Sequence, residues 1–403
     1  MKIGLIKETK IPIDNRVALS PLETVALQQE FPNSTIVVQS SDIRAYGDDE
    51  YRAVGIPVVE DVSDCDVLFG IKEAAIETLI PNKHYFFFGH IAKMQAYNRP
   101  LLQAFIKKNI TFSDYEYLVD DEHKRVCAFG WWAGVVGAYY TLQGYGLRHH
   151  SYTLPKPDLK FTLDRLIEAL KAVSLPAIKI VITGSGRVAQ GAQYILDKIG
   201  ATQLSIDEFI RTSQVTHLSY TIAKKADLVV PLDSQQFFSG IDFKQHPEHY
   251  QSNFMRFATS ADVLISCHFW APNEPIYLTQ EDFSRPDFRI EVIGDITCDI
   301  MGSIQSTLRS STHDKPFYDY NPITRQEEPA FSSLNNITIE AVDTCPNALA
   351  LDTSAYFGEM LTEHVFRPML SGNPSRIIER ATILENGRLT SAFSYLSDFA
   401  KIQ

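Results

Sequence analysis

A chain of 403 residues, 45% hydrophobic and 21% charged, can bury ample core and has the composition of an ordinary globular protein of two domains. A net charge of −12, a pI of about 5.4 and the absence of any basic block argue against nucleic acid as a partner. The opening MKIGLIKETK lacks the apolar segment of a secretory signal, and the most apolar longer stretch, 129–140, is too short to span a bilayer, so no membrane partner is expected.

Residues 2–8 (KIGLIKE) read as a strand, and 20–31 (SPLETVALQQEF) as a helix with Ser20 at the N-cap and Pro21 at N1. A strand at 35–39 and a short helix at 49–55 follow. Two apolar runs, 66–71 (DVLFGI) and 85–89 (YFFFG), suit strands buried on both faces. The Gly and Ala spacing of 130–146 (GWWAGVVGAYYTLQGYG) permits close helix packing where the two halves join, and 151–161 reads as surface loop. A second series then begins: strand 178–184, helix 187–200, strand 202–207, and further strands at 226–231, 261–267 and 289–296. Strands alternating with helices indicate βαβ units and parallel sheets. DCDVLFGIK (64–72) and SADVLISCH (260–268) correspond faintly, each an acid-led strand that ends on a reactive group. Residues 313–329 are turn-rich, and 352–370 opens another helical region. The stretch 237–257 admits three readings: a lid, an oligomer contact or a decorated loop.

GSGRVAQG (184–191) follows a predicted strand and opens a helix, as a dinucleotide-binding turn does. Gly184 and Gly186 allow the tight turn and close backbone approach, Ala189 is small enough for helix–strand packing, and the helix N-terminus attracts a pyrophosphate. Asp207, read as closing the next strand, would accept hydrogen bonds from the ribose hydroxyls and favour NAD over NADP. Arg187 complicates that choice, since a guanidinium can equally grip a phosphate.

The two buried strands of the first half each finish on an ionisable group, Lys72 and His90. In open α/β sheets, ligands sit beyond the carboxyl ends of the strands. A lone lysine there usually reaches water and a lone histidine is often a packing residue, but the coincidence favours function. Amine oxidation needs a neutral nitrogen before hydride leaves, and the imine must then be hydrolysed, so two proton carriers suit the chemistry. Glu73 and Glu116 can temper the pair. Arg16 and Arg125 are candidate clamps for a substrate carboxylate. The five cysteines, Cys65, Cys127, Cys267, Cys298 and Cys345, lack CxxC spacing, which indicates reduced thiols, a cytoplasmic protein and no metal site.

GLIKETKIPIDNRVALSP (4–21), GIKE (70–73) and FGHIAK (88–93) together resemble the N-terminal signatures of the alanine dehydrogenase, transhydrogenase and saccharopine dehydrogenase superfamily. YEYL (115–118), 124–138, 294–320 and 342–361 are more similar to its lysine-pathway members, saccharopine dehydrogenase (lysine-forming) and the lysine–ketoglutarate reductase domain. The chain departs from their pattern at Thr344-Cys345-Pro346. The resemblance implies two Rossmann-like doubly wound domains with mainly parallel sheets and an active-site cleft. Residues 1–135 plus 345–403 would form a discontinuous substrate and catalytic domain, and 136–344 the dinucleotide-binding domain. It further implies Lys72 and His90 as the acid–base pair, with Arg16, Glu73, Lys93, Glu116 and Arg125 about the substrate. Gly184, Gly186, Arg187, Val188 and Asp207 would hold NAD, and Cys267 and Asp299 would border the nicotinamide. The implied activity is NAD-dependent oxidoreduction at the C–N bond of saccharopine or a related opine, acting on a small amino acid and 2-keto acid; a homo-oligomer is compatible with the sequence, which does not fix the oligomeric state. An alanine dehydrogenase-like enzyme and a non-catalytic NAD-binding protein are the alternatives.

Overall fold

Two eight-stranded sheets organise the chain, in a computed structural model that describes residues 1–373 and 375–401. The last two positions of the predicted C-terminal segment, 402–403, lie outside the described residues. The first part of the chain supplies β1 (Lys2–Leu5), β2 (Thr35–Gln39), β3 (Val58–Val59), β4 (Val67–Phe69), β5 (His84–Phe87) and β6 (Thr111–Asp114). The middle supplies β7 (Lys179–Thr183), β8 (Thr202–Gln203), β9 (Ser219–Ala223), β10 (Val229–Pro231) and β11 (Tyr250–Ser252). After these come β12 (Val263–Ser266), β13 (Val292–Asp295), β14 (Phe317–Tyr320), β15 (Glu327–Glu328) and β16 (Ile337–Glu340). Strands β17 (Thr382–Glu385) and β18 (Arg388–Leu389) close the series.

Unit 1 comprises Met1–Phe129, Leu159–Thr162 and the chain from Leu349 onward. Its sheet runs β18-β17-β6-β5-β4-β1-β2-β3, parallel from β6 to β3, with β17 and β18 added antiparallel at one edge. The run DVLFGI lies flat in the middle of this sheet, where Phe69 and Phe86 are fully buried and stack at 4.6 Å. Burying each ring stabilises the unit by roughly 1.5–3 kcal/mol. The helix Pro21–Glu30 begins as the sequence predicts, with the Ser20 amide donating to Glu23 Oε2 at 2.8 Å.

Unit 2 comprises Gly130–Asp158 and Leu163–Ala348. Its sheet runs β15-β14-β16-β13-β12-β7-β9-β8, parallel from β16 to β8 and antiparallel at β14 and β15. The helices Gly130–Arg148 and Arg187–Lys198 meet backbone to backbone. A Cβ on Gly134 would lie 1.8 Å from the Val188 carbonyl oxygen, and one on Gly191 would lie 1.9 Å from that of Trp131. Among the described residues, no helix is long and apolar enough to cross a membrane.

Three sequence readings in unit 2 are corrected. The 202–207 strand stops at Gln203, because Ser205 caps a helix over Ile206–Arg211 and pairs reciprocally with Glu208. The stretch 226–231 is not part of the main sheet: β10 pairs antiparallel with β11 in a two-stranded sheet of its own. The turn-rich stretch 313–329 contains β14 and β15, and β14 joins the main sheet beside β16.

Glu340, at the end of β16, is fully buried. Its Oε1 accepts the Val342 amide at 3.0 Å, while Oε2 has no hydrogen-bond partner. Burial, then Asp295, pushes its carboxyl up to about 8. The folded chain therefore holds this proton more tightly than the unfolded chain. That contribution is complete below an ordinary value of 4.5 and is lost as pH rises to about 8. Glu340→Gln should gain on the wild type by roughly 1–3 kcal/mol between pH 5 and pH 8, read from urea midpoints. An equal effect at both pH values would refute the raised value. Cys345 beside it is buried and donates to the Val342 carbonyl at 3.1 Å, and burial raises its thiol well above the ordinary value.

Candidate functional site

In unit 1 the carboxyl ends of four adjacent strands deliver most of the expected acid–base and substrate residues. Past β1 the chain reaches Glu8, past β4 it reaches Lys72, past β5 His90 and past β6 Glu116; β1 pairs with β4, β4 with β5 and β5 with β6, all in parallel. Parallel register puts these turns at one edge of the sheet.

Glu116 is the centre of one cluster. Its Oε1 lies 3.0 Å from Lys93 Nζ and 3.0 Å from Arg125 Nη2, and its Oε2 lies 3.4 Å from His90 Nδ1. The last contact is long, and neither atom makes a hydrogen bond. Burial pushes the Glu116 carboxyl up, but His90, Lys93 and Arg125 outweigh it and hold the group at about 2. It remains an anion among cations throughout the neutral range.

Asp114 sets the backbone of this cluster. Fully buried, it accepts the amides of Gly89 and His90 on Oδ2, each at 3.1 Å, and that of Glu116 on Oδ1 at 2.9 Å. Burial raises its carboxyl to about 6 against the pull of those amides. His90 is held in the left-handed region at φ 51, a cost that such tethers offset. Gly89 is glycine for a steric reason, since a Cβ would lie 2.6 Å from Phe112 Cζ.

Glu8 does the same for the Lys72 turn, accepting the Ile71 amide at 2.6 Å and the Lys72 amide at 2.9 Å. Burial, followed by Asp14, pushes its carboxyl to about 8. Asp14 and Arg16 form a buried two-point pair, with Arg16 Nε donating to Oδ1 at 2.9 Å and Nη2 to Oδ2. The guanidinium also lies over the Phe129 ring at 4.2 Å. Burial opposes ionisation of Asp14, but Arg16 keeps its carboxyl below the usual range. Glu73 leaves the Glu116 cluster and pairs with Lys10, whose Nζ is 2.6 Å from each of its oxygens. Glu8 and Asp114 were missed in the sequence. Glu8 was absorbed into a strand reading of 2–8, and Asp114 closes β6, a strand that the reading omitted.

Unit 2 carries the glycine turn between β7 and the helix Arg187–Lys198. Gly184 has φ +90 and donates its amide to the Ala223 carbonyl at 2.8 Å; a Cβ there would meet the Cys267 oxygen and His268 Cα, both at 3.0 Å. Gly186 begins the helix, and a Cβ there would meet nothing within 4 Å. Open space, exposed turn backbone and helix amides without intrahelical partners fit a dinucleotide pyrophosphate. Gly186 and Arg187 are exposed and Val188 is half-buried. Cys267 follows β12, which pairs with β7, and Asp299 follows β13, which pairs with β12. Burial raises both the Cys267 thiol and the Asp299 carboxyl. His268, also missed as a site residue, is buried with Nδ1 2.7 Å from Thr183 Oγ1 and Nε2 2.8 Å from Ser303 Oγ. Burial, then Lys225, lowers it to about 3, so the ring is neutral.

Asp207 does not stand where the sequence reading put it. The strand beside β7 is β9, whereas β8 pairs only with β9 at the sheet edge, and Asp207 is an exposed residue in the first turn of a helix beyond it. The strand end next to the glycine turn is Ala223–Lys224. Asp207→Ala should therefore change dinucleotide affinity by no more than about twofold, the ordinary effect of a surface change, as measured by NADH fluorescence titration. A large loss would restore the original assignment.

Residues 4–136 match the family described as "Alanine dehydrogenase/PNT, N-terminal domain". A solved L-alanine dehydrogenase aligns over 99% of this chain and 100% of its own, with a TM-score of 0.65 at 16% identity. The overall fold is thus like that of the solved alanine dehydrogenase, and residues 4–136 match the family's N-terminal domain. An alpha-aminoadipic semialdehyde synthase of Arabidopsis thaliana is 29% identical over 443 residues, covering 99% of this chain and 41% of the relative. A saccharopine dehydrogenase [NAD(+), L-lysine-forming] of Emericella nidulans is 26% identical over 385 residues, covering 89% of this chain and 90% of the relative. Over most of its length, the chain is thus similar to lysine-forming saccharopine dehydrogenases and to part of alpha-aminoadipic semialdehyde synthases. It spans less than half the length of the plant relative.

Proposed function

We propose that this chain is an NAD-dependent oxidoreductase acting on the C–N bond of saccharopine or a related opine. Saccharopine, NAD and water would give lysine, 2-oxoglutarate and NADH, or the reverse. The observation that carries the reading is the convergence of Lys72, His90 and the Glu116 cluster on adjacent strand ends of unit 1, in a chain similar to lysine-forming saccharopine dehydrogenases.

In this reading Lys72 and His90 are the proton carriers. One takes the proton from the substrate nitrogen and frees its lone pair; the other activates water for hydrolysis of the imine and returns a proton to the departing amine. Arg16, Lys93 and Arg125 bind substrate carboxylates, and Glu116, an anion at neutral pH, aligns Lys93 and Arg125 while facing His90. Glu73, engaged by Lys10, acts on the site through charge balance. Gly184, Gly186, Arg187 and Val188 hold the dinucleotide, with Cys267 and Asp299 beside the nicotinamide. When bound, that ring accepts the hydride.

The test is oxidation of NADH and of NADPH with 2-oxoglutarate plus lysine, set against pyruvate plus ammonia. Turnover with lysine and 2-oxoglutarate is expected, with NADH preferred. Turnover only with pyruvate and ammonia would move the chain to the alanine dehydrogenase reading. Tight NADH binding without turnover on any amine and keto acid pair would leave a non-catalytic NAD-binding protein.

A further inference from the structure

The stretch 237–257, left open by the sequence, is built into unit 2. Phe243, Tyr250, Phe254 and Phe257 are buried in its core, and β11 pairs with β10. On its outer side this anchored platform carries His246, Glu248 and His249, all exposed, with Asp242 next to them. We propose that these side chains form a binding site for a borderline divalent cation such as zinc, outside the oxidoreductase site and independent of that reading.

The local backbone brings the two imidazoles together. Pro247–His249 is a 3₁₀ turn, in which residues three apart eclipse, so His246 and His249 project from the same side. Their rings stack at 4.9 Å and 17°. The His246 amide donates to the Asp242 carbonyl at 2.7 Å and the His249 amide to the His246 carbonyl at 3.0 Å, which ties the turn to the helix Gly240–Gln245 before it.

Carboxylates flank the imidazoles. His246 Nδ1 lies 3.2 Å from Glu248 Oε1, and His249 Nδ1 lies 3.7 Å from Asp242 Oδ2. One ligand atom each from His246, Glu248 and His249 can be chosen with all separations within 4.8 Å. A tetrahedral zinc site sets its ligand atoms about 3.3 Å apart, which exposed side chains reach by rotation alone. Two imidazole nitrogens with one or two carboxylate oxygens suit zinc, cobalt, nickel or copper better than magnesium or calcium. A bound ion would clip the 3₁₀ turn to Asp242 and stiffen residues 240–252.

The experiment uses the full chain, free of any affinity tag and stripped with chelator. Zinc chloride is titrated calorimetrically, and cobalt chloride by visible absorption. The wild type should bind one equivalent, show the absorption of low-coordinate cobalt, and melt at a higher temperature with zinc. The double variant His246→Ala/His249→Ala should bind at least about tenfold more weakly and lose the zinc-dependent melting shift. Its metal-free melt should match the wild type, since both rings are exposed. His217→Ala, which removes a histidine outside the cluster, should bind as the wild type does. Absence of saturable binding by the wild type would overturn the proposal, as would undiminished binding by the double variant.

Discussion

Replacing Lys72 with methionine is expected to lower turnover about 100- to 10,000-fold, the range for loss of a positioned proton carrier, while leaving NADH affinity unchanged. Methionine keeps an unbranched apolar stem and removes only the ammonium. The backbone at this position does not depend on the side chain, because Glu8 holds the Lys72 amide at 2.9 Å and the Ile71 amide at 2.6 Å. The dinucleotide turn belongs to unit 2 and has no part in this loop. Steady-state kinetics and NADH titration on the same preparation separate the two effects. Near-wild-type turnover would remove Lys72 from the mechanism, and a parallel loss of NADH affinity would point to a structural role instead.

Gly184→Val should weaken dinucleotide binding by about one to two orders of magnitude, read from NADH titration. Two penalties coincide there: φ is +90, which β-branched residues avoid, and the new Cβ would face the Cys267 carbonyl oxygen at 3.0 Å. Relieving either moves the turn that presents the helix amides. A strain of about 1–3 kcal/mol, taken out of binding energy, weakens affinity by about one to two orders of magnitude at 1.4 kcal/mol per tenfold. Gly186→Ala is the informative partner, because its Cβ would meet nothing within 4 Å and the fold should tolerate it. Loss of NADH binding in a Gly186→Ala protein of wild-type stability would indicate that the ligand approaches this backbone. Full binding by Gly184→Val would refute the turn as the pyrophosphate cradle.

Much of this was legible because the relevant signals are local. An apolar run that ends abruptly on a charge marks a buried strand and its exit, which singled out Lys72 and His90. The G-x-G-x-x-A pattern between a strand and a helix marks the turn after β7. The cap at Ser20 and the small residues of 130–146 also did what their chemistry requires. β9 carries its own local signal, since Leu218, Tyr220 and Ile222 alternate with polar residues, but its place beside β7 does not follow from that pattern. Because β9 lies between β7 and β8, Asp207 stands on a helix past the edge strand rather than at the end of a strand beside β7.

By itself, the amino-acid sequence determined the buried strands β4, β5, β7 and β12, the helix that begins after Ser20, the parallel α/β class, the glycine turn and the identity of the groups at two strand ends, since each follows from hydrophobic period, turn chemistry or capping within a few residues. Tertiary structure alone decided that β9 lies beside β7, that Glu73 pairs with Lys10, and that Glu116 gathers His90, Lys93 and Arg125. The physical reason is range. Strand order and ion pairing depend on which segments share a low-dielectric interior, and residues far apart in the chain meet there only after the sheet has formed.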